Sequence, residues 1–122
     1  MRTSQDFEHL AAEAFEELPP IFRERLENVA IWVEEWPDTE TLRLAGVRHA
    51  AELLGFYHGI PLPQRNSGYN LVSPDRISIY RQPILMHCRT WDEVRATVRR
   101  VLRHEVAHYF GLDDEQLREM DC

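Results

Sequence analysis

The spacing of apolar and polar positions predicts two helices and a strand in the first third of the chain. Over residues 4–18 apolar side chains recur at helical spacing between glutamates, which is typical of an amphipathic helix. Pro19 and Pro20 end this helix, and Pro20 can open a short second helix that extends to about residue 27. The β-branched and aromatic run at residues 29–33 is the best candidate for a first strand.

The middle of the chain gives weaker patterns. Residues 39–54 fit a helix loosely, with Gly46 interrupting the pattern, and the Gly- and Pro-rich residues 55–63 can hold a short strand within a loop. Residues 76–81 alternate apolar and polar side chains, which predicts a half-exposed strand. Pro83 follows this strand and suits an edge position, because proline cannot donate a hydrogen bond to a neighbouring strand.

The clearest predicted element is a long helix that ends at about residue 110. Thr90 and Glu93 have the spacing of a capping box at its start, and Gly111 is the expected stop residue. Glu105 falls inside the apolar stripe of this helix, where a carboxylate is costly unless it is paired. The remaining stripe positions are Trp91, Val94, Val98, Val101, Leu102 and Tyr109. A solvated face that pairs with the acidic first helix is expected for Arg95, Arg99, Arg100 and Arg103.

Length and composition narrow the possible functions. The 122 residues are expected to form a single domain over 1–122, with no room for a second. A net charge of −7 disfavours nucleic acid or an anionic membrane as the main partner. No apolar run approaches membrane-spanning length and the N-terminus lacks signal-peptide features, so we expect a cytoplasmic protein. Cys88 and Cys122 are too few for a disulfide framework and are expected to be free thiols.

The main candidates for metal-binding and catalytic residues lie in residues 104–114, which read H-E-x-x-H-x-x-G-x-x-D. His104 and His108 lie about one helical turn apart and can hold one metal ion, with the carboxylate of Glu105 beside it. The bare pentapeptide arises by chance in about 3% of shuffled chains of this composition, and the added glycine and acid lower that to on the order of 0.02%. The extended motif therefore indicates a zinc hydrolase, in which a metal-bound water attacks a carbonyl and Glu105 moves protons.

A third ligand is expected just beyond the helix. Gly111 allows a sharp turn, after which Asp114 can return to the metal and leave a fourth position for water. Asp113 or Glu115 could ligate instead, and all three acids could simply cap a last short helix. Weaker ligand candidates lie elsewhere in the chain at His58, His87 and Cys88.

On these residues the chain resembles the small bacterial metallopeptidase-like family with a minimal zincin fold. The resemblance covers nearly the whole chain: Leu18-Pro19, Asn28-Val29, Leu54-Gly55-Phe56-Tyr57, Gly59-Ile60-Pro61, Arg76-Ile77 with Tyr80, Pro83-Ile84, and His104-Glu105 through Asp114-Glu115. It implies an α+β fold in which a small mixed sheet packs on the active-site helix, with N-terminal helices. It also implies zinc held by His104 and His108, Glu105 as general base, and a peptide along the sheet edge, for which residues 76–81 are the candidate.

The extended motif is also similar to that of metzincins, in which the residue at the position of Asp114 is the third ligand. Two other functions stay open: a non-catalytic zinc-binding interaction or regulatory module, and a metal-dependent ribonuclease, which the acidic charge disfavours. We expect no second subdomain to form the other wall of a cleft, so a partner or a second copy could complete it. Candidates for an oxyanion stabiliser are Tyr57, Tyr80 and Tyr109.

Overall fold

The computed structural model describes residues 3–26, 29–59, 75–112 and 115. Within them the predicted α+β class is confirmed, with a small mixed sheet packed against one long helix. In chain order the elements are α1 (Ser4–Glu16), α2 (Pro20–Arg23), β1 (Val29–Glu34), α3 (Thr39–Ala45), a 3₁₀ turn (Ala50–Glu52), β2 (Gly55–His58), β3 (Asp75–Tyr80), α4 (Arg81–His87) and α5 (Trp91–Phe110). None of the helices in these ranges combines the length and apolar character needed to cross a bilayer.

The sheet has the strand order β1-β3-β2, with β1 parallel and β2 antiparallel to β3. The prediction that residues 76–81 form a half-exposed edge strand is therefore wrong, because β3 is central and almost wholly buried. Its polar residues find partners within the protein. The Ser78 hydroxyl donates to Glu34, and the Arg76 guanidinium lies 4.6 Å from the centre of the Trp32 ring. Pro83 lies in the first turn of α4, where its missing N–H costs nothing.

The core lies between the sheet and the two longest helices, α1 and α5. Phe7 of α1 is fully buried and meets the Trp91 ring edge-to-face, with the ring centres 5.8 Å apart. The predicted stripe of α5 faces this core, and Glu105 is buried within it as the pattern indicated. Nearly all of the core side chains are apolar, among them Leu10, Leu18, Phe22, Ile77, Ile79, Ile84, Val98 and Leu102.

The helix ends explain which boundaries the sequence could reveal. The Thr90 hydroxyl accepts the Glu93 N–H at 3.1 Å, but the Glu93 carboxylate accepts the N–H of Arg89 and not that of Thr90. Gly111 and Gly46 both take left-handed conformations, with φ of 71°. Gly46 thereby ends α3, so the ambiguous segment 39–54 is a short helix followed by a 3₁₀ turn.

Gly55 allows α5 to pack directly against β2. A Cβ atom at this position would overlap Cγ1 of Val101 and would lie 3.1 Å from the carbonyl oxygen of Ser78. Glycine is therefore the residue that lets the helix and the strand approach this closely.

We expect Gly55→Ala to lower the free energy of unfolding by about 1–3 kcal/mol, because the added methyl group overpacks this contact. Urea unfolding should also show partial rescue in Gly55→Ala/Val101→Ala, since shortening Val101 makes room for the methyl group. Strictly additive losses in the double variant would contradict the account.

His58 lies on the other face of the sheet, where Nε2 is 3.4 Å from Nη2 of Arg76. Burial and, next, the charge of Arg76 lower the pKa of His58, while Glu34, Asp38 and Glu105 act in the opposite direction. Because the charged imidazole is disfavoured in the folded protein, the unfolded chain binds more protons near and below the ordinary pKa of about 6.5.

We therefore expect stability to fall as the pH drops from about 7.5 to about 5.5, and His58→Gln to reduce this fall. Urea midpoints of both proteins at the two pH values measure the effect. Asp38 and Glu35 also have lowered pKa values, but their contributions are lost at more acidic pH. An equal fall in the two proteins would show that His58 does not cause it.

Candidate functional site

The two motif histidines lie side by side on α5. Their ring centres are 4.9 Å apart; His104 is half-buried and the side chain of His108 is 51% exposed. Two imidazole nitrogens that share one zinc ion, each about 2.0–2.1 Å from it, lie within about 4 Å of each other. Rings whose centres are this close allow one nitrogen of each to approach the same metal ion.

Glu105 is the buried carboxylate beside this pair, with only 5% of the residue exposed. Its Oε1 accepts the backbone N–H of Tyr57 at 2.9 Å and lies 3.4 Å from Nδ1 of His108. A carboxylate inside the apolar stripe requires partners, and these are the Tyr57 N–H of β2 and the His108 ring. An uncompensated carboxylate at this depth would be strongly destabilising.

The N–H of Tyr57 is available because of its place in β2. Tyr80 donates its N–H to the carbonyl of Leu54 at 3.0 Å, so alternate residues of β2 from Leu54 onward pair with β3. The backbone groups of Gly55 and Tyr57 consequently point away from the sheet. Glu105 accepts one of these edge hydrogen bonds from the side of the helix.

A cleft of about 640 Å³ adjoins the histidines and Glu105. The segment from α3 to β2 supplies an apolar wall opposite α5, formed by Ala45, Val47, Leu53, Leu54 and Phe56. From α5 the cleft is lined by Arg100, Val101, His104, Glu105 and His108.

Two neighbouring arginines of α5, Arg99 and Arg100, have different surroundings. Arg99 forms the expected ion pair with the first helix, its Nε lying 2.7 Å from Glu17. Arg100 is exposed, as expected, and it also lines the cleft, a role that the sequence analysis did not assign to it.

The third metal ligand stays a prediction. Asp114 and Asp113 lie outside the described residues, and Glu115 is exposed. Within the described ranges, no three His, Cys, Asp or Glu side chains come together as a metal-binding group.

The weaker ligand candidates contact other parts of the protein. His58 lies beside Arg76, a ring nitrogen of His87 is 2.9 Å from the Ala51 carbonyl oxygen, and Cys88 is a free thiol 3.4 Å from the Thr97 hydroxyl. These three residues do not line the cleft that holds His104 and His108. Cys122 lies outside the described residues.

The three candidate oxyanion tyrosines do not line this cleft either. The Tyr57 hydroxyl donates to Asp75, and the Tyr109 hydroxyl to the carbonyl of Arg25 at 3.4 Å. Tyr80 is 1% exposed, and burial raises the pKa of its phenol. The contribution of Tyr57 to the site is its main-chain N–H, which no side-chain pattern could have revealed.

Comparison with known proteins identifies the family of the chain. The model of the family described as zincin-like metallopeptidases matches residues 26–121, which include the histidine motif. Among solved structures, the chain is similar to a conserved hypothetical protein from Thermo thermophilus, with 24% identity, a TM-score of 0.57, and coverage of 98% of this chain and 100% of that one. This likeness concerns the fold alone, and no protein with a curated description matches the chain. The chain has a minimal zincin-like α+β fold and belongs to the zincin-like metallopeptidase family.

Proposed function

We propose that the protein is a zinc-dependent metallopeptidase that hydrolyses peptide bonds. His104, His108 and Asp114 would hold the zinc ion, and Glu105 would be the general base. The observation that carries the proposal is the buried Glu105 carboxylate, fixed by the Tyr57 N–H beside two adjacent imidazoles. When bound, zinc supplies a Lewis acid and a water of lowered pKa.

Glu105 is positioned to move protons. Its Oε1 is fixed by the strand, so the carboxylate cannot rotate freely away from the cleft that it lines. It would take a proton from the attacking water and deliver it to the amide nitrogen as the peptide bond breaks. A purely structural zinc site has no use for a base held in this way, which favours hydrolysis over the non-catalytic alternative.

The His108 ring has a defined orientation relative to this base. Nδ1 faces Oε1 of Glu105 at 3.4 Å, so we assign metal binding to Nε2. A protonated Nδ1 would then direct its N–H at the carboxylate, the outer contact that commonly fixes the ring and tautomer of a metal-bound histidine.

A peptide is the substrate class that the sheet edge fits. The backbone groups of Gly55 and the carbonyl of Tyr57 face away from β3, and among the described residues no strand pairs with that side of β2. An extended peptide can add to such an edge through main-chain hydrogen bonds. The substrate edge that we propose is thus β2 and not residues 76–81.

We also propose a substrate class, a cellular location and what completes the cleft. The charge of −7 supports a peptide or protein substrate over nucleic acid and over an anionic membrane. We propose a cytoplasmic protein in which a partner or a second copy completes the outer wall of the cleft.

We expect about one zinc ion per chain in protein purified without a histidine tag, measured by elemental mass spectrometry. His104→Ala and His108→Ala should lose this zinc, because each removes one ligand. His9→Ala on the exposed face of α1 is the matched control and should keep it. Zinc bound at wild-type affinity in His108→Ala would place the metal elsewhere.

The same measurement distinguishes the candidates for the third ligand. Zinc affinity should fall most in Asp114→Ala, and less in Asp113→Ala and Glu115→Ala. A larger loss in either of the latter two variants would reassign the ligand without removing the metal site.

We expect Glu105→Gln to retain zinc and to lower kcat for a peptide substrate by about 10²–10⁴-fold, the usual contribution of a general base. The amide can still accept the Tyr57 N–H, so stability should change less than activity. Glu13→Gln, an exposed change of the same chemistry on α1, should leave both unaltered. Full activity in Glu105→Gln would refute the proposed mechanism.

A further inference from the structure

Arg100 is aligned with the two histidines along α5. Positions 100, 104 and 108 are four residues apart, which places them in one row on the helix surface, and all three line the cleft. Four residues of helix rise about 6 Å, so Arg100 begins about one turn from His104. Its flexible side chain can reach along the cleft from there.

Arg100 is exposed, and like Arg95 it forms no ion pair with a described residue; unlike Arg95, it lines the cleft. Arg99 pairs with Glu17 at 2.7 Å, and Arg81 with Glu35 at 2.7 Å, whereas no described residue forms an ion pair with Arg100. Among the described residues that line the cleft, the single acid is Glu105, which already accepts the Tyr57 N–H. An arginine without a counter-ion among the described residues therefore lines the cleft, in a chain of net charge −7.

The chemistry of this group points to one kind of ligand. A guanidinium is a planar fork of donors that matches a carboxylate in a bidentate arrangement. The wall opposite α5 is apolar and includes Leu53, Leu54 and Phe56, which suits an apolar side chain of the same ligand. The apolar wall would also displace water and so strengthen a charge pair formed beside it.

We infer that Arg100 is a specificity residue, and that the cleft selects peptides with a carboxylate at Arg100 and an apolar side chain against Leu53, Leu54 and Phe56. The inference rests on the proposed peptide hydrolysis at His104 and His108. The carboxylate is either the C-terminal group of the peptide or an Asp or Glu side chain.

Binding to a variant that does not cleave tests this without relying on turnover. Zinc-loaded Glu105→Gln is titrated by calorimetry with short acetylated peptides that contain several Ala and Leu residues. Each peptide is made in three forms: with a free C-terminal carboxylate, with a C-terminal amide, and as the amide with one Leu replaced by Glu. We expect a carboxylate form to bind roughly two- to fivefold more tightly than the neutral amide, as for a charge pair at an exposed arginine. Tighter binding of the form with the free C-terminus would identify the terminal carboxylate as the ligand of Arg100. Tighter binding of the Glu form would identify an acidic side chain.

Adding Arg100→Gln to this variant should remove the preference for a carboxylate, and adding Arg100→Glu should reverse it. Arg95→Gln is the matched control, because Arg95 is exposed on the same helix and does not line the cleft. Urea midpoints of the variants verify that they fold. Equal binding of the three peptides, or a preference that survives Arg100→Gln, would overturn the inference.

Cleavage by the wild-type protein is scored separately. Hydrolysis that depends on Glu105 but ignores the carboxylate would support the proposed function and reject the role of Arg100. A carboxylate preference that depends on Arg100, in a protein that cleaves none of the peptides, would support the role of Arg100 and reject peptide hydrolysis.

Discussion

The hydrogen bond from the Tyr57 N–H to Glu105 is the contact on which the site depends. A carboxylate on a residue that is 5% exposed would cost several kcal/mol without a partner, and the edge of β2 supplies one in a direction that the sheet leaves open. Because the donor belongs to the main chain, proline is the one standard substitution at Tyr57 that removes it. The same bond makes the buried charge tolerable and sets the direction of the proposed base.

This contact requires α5 and β2 to approach each other closely, and Gly55 makes that possible. A side chain there would collide with Val101, which lies one turn before Glu105 on the same helix. Moving the helix outward to relieve the collision would lengthen the hydrogen bond to Tyr57. Packing and site geometry are therefore coupled through one glycine, and a small change in volume at β2 acts on the position of a carboxylate.

Sequence patterns predicted the features that depend on interactions between residues close together in the chain. The extent of α5, its cap at Thr90, its end at Gly111 and the burial of Glu105 all follow from spacing within one helix. The place of β3 in the sheet did not, because strand order depends on distant partners, and its alternating polar residues proved to be satisfied by Glu34 and Trp32. Likewise Tyr57 and Glu105 are 48 residues apart, and their bond uses a main-chain group that carries no sequence signal. The prediction of Asp114 rests on the motif alone.

The acidic surface and the basic residue in the cleft act over different distances. At physiological salt the repulsion between a chain of charge −7 and an acidic peptide is screened beyond about 8 Å, so it weakens approach more than contact. Arg100 is exposed and acts at contact, a distance at which salt screens little. A protein of this charge can therefore disfavour acidic polymers in general and still select one carboxylate near its histidines. In the proposed role, Arg100, whose backbone lies one turn from His104, then governs selectivity more than the net charge does.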